Sequence, residues 1–137
     1  MSHWLDDDYV EPVATKPCLM RNAYATHTDY FDFLGLIESN PLLIPSNVDG
    51  ILERKGKFLI LEWKRDNEEV SKGQQYILQA LASKPDFTVV ILIGNTDTET
   101  IINRFFLVSK AGCILMGHGF EEFKKYYIDW YKKADGY

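Results

Sequence analysis

The chain has 137 residues, 46% hydrophobic and 26% charged, with a formal net charge of −5. That length suits one domain with a sizeable core; the composition is that of an ordinary globular protein; and the acidic balance argues against indiscriminate coating of nucleic acid. No apolar run approaches the roughly 18 residues of a membrane span, and the opening MSHWLDDDYVEP lacks the basic-then-apolar order of a signal peptide.

The two cysteines, Cys18 and Cys113, form neither a disulfide framework nor a metal spacing. A cytoplasmic protein with inert thiols and no membrane partner is therefore expected. Charge is uneven along the chain. Residues 1–53 carry Lys16 and Arg21 against nine carboxylates, a balance of −7, while residues 54–137 carry 13 basic and 11 acidic side chains, a balance of +2. A phosphate-facing surface is expected in the later part, around Arg54, Lys55, Lys57, Lys64, Arg65 and Lys72, unless these are merely solvated hairpin and helix charges.

In chain order, residues 1–25 show no period and read as an irregular arm packing through Trp4, Tyr9 and Tyr24. THTDYFDFLGLIES, residues 26–39, predicts a first helix with Thr26 or Thr28 as N-cap, an apolar stripe of Tyr30, Phe33, Leu34 and Ile37, and Glu38 at the stripe's edge. Asn40 and Pro41 end it. Two strands follow, 47–54 and 58–64, divided by a Lys55-Gly56 hairpin turn. A second helix starts within 66–69 and presents Val70, Gln74, Ile77, Leu78 and Leu81 on one face, with Pro85 beyond its end. DFTVVILIGN is apolar almost throughout and predicts a central strand covered on both faces. A further strand over 101–108, a glycine-punctuated loop with a short edge strand at 113–116, and a closing amphipathic helix over 120–133 complete the order.

The fold class expected is α/β, a mixed central sheet flanked by helices. It forms a single domain over residues 1–137, with the arm at 1–25, a core at about 27–110 and an extra C-terminal helix at about 119–134.

A two-residue turn at Lys55-Gly56 pairs residues whose numbers sum to 111, so Asp49 faces Glu62 and Asn47 faces Lys64. Opposed side chains share a face, with Cβ atoms about 4.5–5.5 Å apart. Lys64 therefore lies on the face of Glu62 and Trp63 on the other. Two opposed carboxylates flanked by Leu and Ile repel. Lys64 can offset them as an ion pair; a divalent cation with hard oxygen ligands does so better.

Asp49, twelve intervening residues and then Glu62-Trp63-Lys64 at the end of an apolar strand resemble the PD-(D/E)XK nuclease signature, over residues 27–94. Val48 stands where the family's proline would, with Pro45 further upstream. The resemblance implies a restriction-endonuclease-like αβββαβ core, with Asp49 and Glu62 holding Mg²⁺ (or Mn²⁺) and Lys64 orienting or activating the attacking water. This is metal-assisted phosphodiester hydrolysis. It also implies a helix-borne Gln after that strand, matched by Gln74 with Gln75 as fallback. A helix-borne acid completes the metal shell, matched by Glu38, with Asp32 and Asp29 as weaker candidates; a solvated carboxylate is the plainer account of Glu38.

The expected activity is that of a small, phage-like, structure-selective or Holliday-junction-type deoxyribonuclease acting as a homodimer on DNA. The alternatives are an exonuclease of the same fold, or a non-catalytic member that binds nucleic acid or protein. Other chemistries lack their motifs. His3, His27 and His118 match no zinc or His-based nuclease spacing, no phosphate-cradling glycine loop points to a nucleotide cofactor, and no serine has a partnered histidine.

Overall fold

The structure is a computed structural model and describes residues 30–136. The sheet begins at a turn. Lys55 and Gly56 take φ values of 52° and 82°, the two positive values that a type I′ hairpin requires. The Gly56 N–H also donates to Glu53 Oε2 at 2.8 Å. Strand β1 (Gly50–Arg54) therefore pairs antiparallel with β2 (Lys57–Lys64) in the expected register, from Arg54 opposite Lys57 to Gly50 opposite Leu61.

Helix α1 (Lys72–Ala82) then crosses to β3 (Phe87–Asn95), which lies parallel to β2. Ser71 caps α1 by accepting from the Gln74 N–H, so the helix starts later than the predicted 66–69. Residue 85 is a proline, and the helix stops ahead of it. Strands β4 (Ile101–Ser109) and β5 (Gly112–His118) follow antiparallel, and α2 (Gly119–Ala134) closes the chain. The spatial order is β1-β2-β3-β4-β5, a mixed five-stranded sheet with β3 at its centre. The edge strand predicted over 113–116 is a full strand.

Among the described residues, one helix lies on each face. Ile60, Val89, Ile91, Ile93 and Val108 bury against Leu78 of α1. Leu59, Val90, Leu92, Ile102 and Phe105 bury against Phe123 of α2, with Trp63 packed at the margin. β3 contributes to both layers, which is why its run is apolar throughout. Each fully buried Leu or Phe here stabilises the fold by about 1.5–3 kcal/mol. Ile102 and Phe105 share a face although three residues apart. A bulge makes this possible: Ile93 pairs with Arg104 but Gly94 pairs with Ile102, so Asn103 is extra. The bulge brings the Ile101 carbonyl so close that a Cβ on residue 94 would sit 1.9 Å from its oxygen. The far end of α2 is tied back to the first hairpin, where Asp135 accepts from Arg54 and Lys55.

The predicted first helix is corrected. Among residues 30–39 there is one 3-10 turn, Phe31–Phe33, followed by further turns. Gly35 takes a φ of 79° and its N–H donates to the Pro41 carbonyl, which reverses the chain where a helix would continue. Phe33, Leu34 and Ile37 are exposed rather than buried as a stripe. With two strands before α1 and no described helix before β1, the αβββαβ order is not reproduced in its first elements. The predicted N-terminal arm, with Trp4, Tyr9 and Tyr24, and also Thr26, Thr28 and Asp29, lie outside the described residues. No helix among the described residues is long and apolar enough to cross a membrane.

Candidate functional site

The buried charged residues among those described are Glu62, 5% exposed, and Lys64, 7% exposed. Both come from the last turns of β2's alternation and face α1, as Ile60 does. Gln74 reaches them from the first turn of α1, the position that Ser71's cap fixes. Lys64 Nζ donates to Gln74 Oε1 at 2.8 Å, Gln74 Nε2 donates to Glu62 Oε2 at 3.2 Å, and Lys64 Nζ lies 3.6 Å from that same carboxylate oxygen. The three side chains close a triangle. A buried ion pair stripped of one member leaves an uncompensated charge and is strongly destabilised; Gln74 satisfies both members at once.

Asp49 stands immediately before β1, across from Glu62 by extension of the hairpin register. Its Oδ2 accepts from the Trp63 N–H at 2.9 Å, which pins the carboxylate beside the end of β2. Burial pushes the Glu62 carboxyl up, the facing Asp49 charge pushes it further, and Lys64 pulls it back, leaving it at about 7. Lys64 thus offsets only part of the combined effect of burial and the Asp49 charge.

The other predicted site residues fare differently. Gln75 donates to the Val70 carbonyl and has left the site. Glu38 and Asp32 are exposed in the turn segment. Among the described residues no group of three or more His, Cys, Asp or Glu is arranged to hold a metal ion, so Glu38 does not complete a shell with Asp49 and Glu62. The reason is the missing helix that would have carried it inward.

Of the expected phosphate-facing cations, Arg54 and Lys55 are held by Asp135, Lys57 by Asp86 and Arg65 by a two-pronged bond to Asp97. Lys72 is exposed at the start of α1. Cys113 is a free thiol that partial burial pushes up.

Compared with protein-family models, with curated proteins and with solved structures, the chain finds no match. The site's chemistry rests on its own geometry. Two opposed carboxylates, one of them buried and held near 7 chiefly by that burial and further by the charge of the other, form a hard-oxygen donor pair. Mg²⁺ suits so small a donor set because it characteristically keeps several waters and binds through one or two carboxylates. The residues present fit such an ion.

The structure places Asp49, Glu62, Lys64 and Gln74 together as the sequence reading expects, and adds Arg104 on the same face of the sheet. Arg104 faces α1 as Ile93 does, its register partner. The bulge at Asn103 conceals it, because strict alternation from Ile102 gives the wrong account of which β4 residues share a face.

Proposed function

We propose that this chain is a Mg²⁺- or Mn²⁺-dependent deoxyribonuclease of the PD-(D/E)XK kind, an endonuclease selective for DNA structure such as a four-way junction. The observation that carries the reading is the opposition of Asp49 and Glu62 with Lys64 and Gln74 locked to Glu62. Asp49 and Glu62 would hold the cation. When bound, it supplies positive charge against the phosphate and lowers the pKa of water in its shell.

The chain's own residues do the rest. Asp49 is oriented by the Trp63 N–H, with its carboxylate turned toward Glu62. Glu62, raised to about 7, would be drawn to its ionised form beside a bound cation. Lys64 has three N–H donors: one goes to Gln74 and one faces Glu62, which leaves a third to orient an attacking water. Gln74 fixes Lys64 so that this donor has one direction. A cytoplasmic homodimer acting on DNA accords with this reading, and an exonuclease of the same fold would use the same four residues. A non-catalytic protein-binding role on the same fold is favoured by one observation, that Arg54, Lys55, Lys57 and Arg65 are neutralised by acids within the chain; a non-catalytic nucleic-acid-binding member is the remaining alternative.

The test is cleavage of labelled duplex, single-stranded, flap and four-way-junction DNA with Mg²⁺ or Mn²⁺. Wild type should cut at least one substrate, EDTA should stop it, and Lys64→Ala should slow it by about 10²-fold or more. Equal cutting by the variant would show that Lys64 is misassigned. No cutting of any substrate with either ion would leave the binding role standing in place of the enzyme.

A further inference from the structure

The register aligns four residues in a row across the sheet: Lys64 opposite Ile93, Ile93 opposite Arg104, and Arg104 opposite His118. Side chains directly across from one another share a face, so the row lies on the α1 face, at the end of β2 that carries the site. Two strand spacings separate Lys64 from Arg104, roughly 10 Å.

Arg104 is exposed. Its guanidinium rests on the Phe106 ring, 5.6 Å from the centroid, and it makes no ion pair or hydrogen bond among the described residues. A guanidinium laid on a ring keeps its edge donors free for a planar, two-pronged acceptor. The neighbouring acids are already engaged: Asp97 with Arg65, and Asp66 with the Asn103 amide at 2.9 Å. With Arg54, Lys55, Lys57 and Arg65 paired internally, Arg104 on the site's own face and Lys72 at the start of α1, neither of them in an ion pair among the described residues, offer cationic surface beside the site for a polyanion.

We infer that Arg104 is a substrate-binding residue that grips a backbone phosphate of DNA adjacent to the one presented to Lys64, with Lys72 supporting the same strand. This rests on the nuclease reading and adds to it the path of the DNA: across the α1 face from β2 toward β5, away from the Lys55-Gly56 hairpin. Contacts of this kind position DNA and carry no sequence information.

The experiment measures binding and cutting separately. Fluorescein-labelled duplex and four-way-junction DNA are titrated in EDTA over a range of salt with wild type, Arg104→Ala, Arg104→Lys and Lys57→Ala, then cut with Mg²⁺. A melting curve checks that each variant is folded. Arg104→Ala should bind about tenfold more weakly at low salt and lower the slope of log affinity on log salt by about 0.9. Arg104→Lys should restore the slope, and Lys57→Ala should match wild type.

If wild type cuts while Arg104→Ala binds with an unchanged slope, the phosphate grip is refuted and the nuclease reading survives. If wild type binds with the Arg104-dependent slope but cuts nothing, the grip stands and hydrolysis falls. If wild type neither binds nor cuts, both fall.

Discussion

Replacing Glu62 by Gln isolates the electrostatic cost built into the site. Glu62 is held at about 7 against an ordinary 4.5, so between those pH values the folded chain keeps a proton that the unfolded chain has released. Stability must then fall as pH rises. The contribution is fully present below about 4.5 and is lost as pH passes through 7. At 1.36 kcal/mol for each pKa unit, the loss is on the order of 3 kcal/mol, or on the order of 10 °C in Tm for a domain of this size.

The assay is a set of thermal melts in EDTA at pH 5 and pH 8, wild type beside Glu62→Gln. Gln preserves the shape of the neutral acid and cannot ionise, so groups elsewhere contribute equally to both proteins. Wild type should lose on the order of 10 °C more than the variant between the two pH values. Adding Mg²⁺ at pH 8 should return part of that loss to wild type, by RT ln(1 + [L]/Kd), and nothing to the variant. Two melting profiles that fall in parallel would refute the placing of an incompletely offset carboxylate at position 62.

Two further substitutions probe the framework. Asp49→Asn keeps an acceptor for the Trp63 N–H while removing the charge opposite Glu62. In urea titrations with EDTA at pH 8 it should be more stable than wild type by about 0.5–1 kcal/mol, and lower stability would show that Lys64 already offsets the pair. Gly94→Ala places a Cβ 1.9 Å from the Ile101 carbonyl oxygen and should cost about 2 kcal/mol or more; a urea midpoint equal to wild type would show that the β4 bulge relaxes freely.

The parts of this fold that were legible in the sequence are those governed by short-range chemistry. A two-residue turn at Lys55-Gly56 fixes the hairpin register, and the register alone brings Asp49 opposite Glu62. Gln74 announced itself as a polar residue on an apolar helical stripe, and the structure shows what it satisfies. The apolar run of β3 named its central place. What escaped was set by distant partners. Nothing near Arg54 in sequence signals that Asp135, 81 residues later, will hold it, nor does anything near Arg65 point to Asp97, so the basic patch expected from the sequence falls where charges are paired. The first helix is expected from the periodicity over residues 30–37 but does not form there, because Gly35, with its left-handed backbone, turns the chain.

The bulge in β4 makes Gly94 and Asn103 a single trait written at two positions. Asn103 is the residue in excess. Without it Ile102, Arg104 and Phe105 would still face as they do, because an unbulged strand of that shorter length alternates correctly. The Ile101 carbonyl would then withdraw from residue 94, and the demand for glycine there would vanish. Tolerance at one strand is thus set by a length choice in its neighbour: a side chain at 94 is costly while the extra residue at 103 is present, and the cost should fall away when that residue is removed.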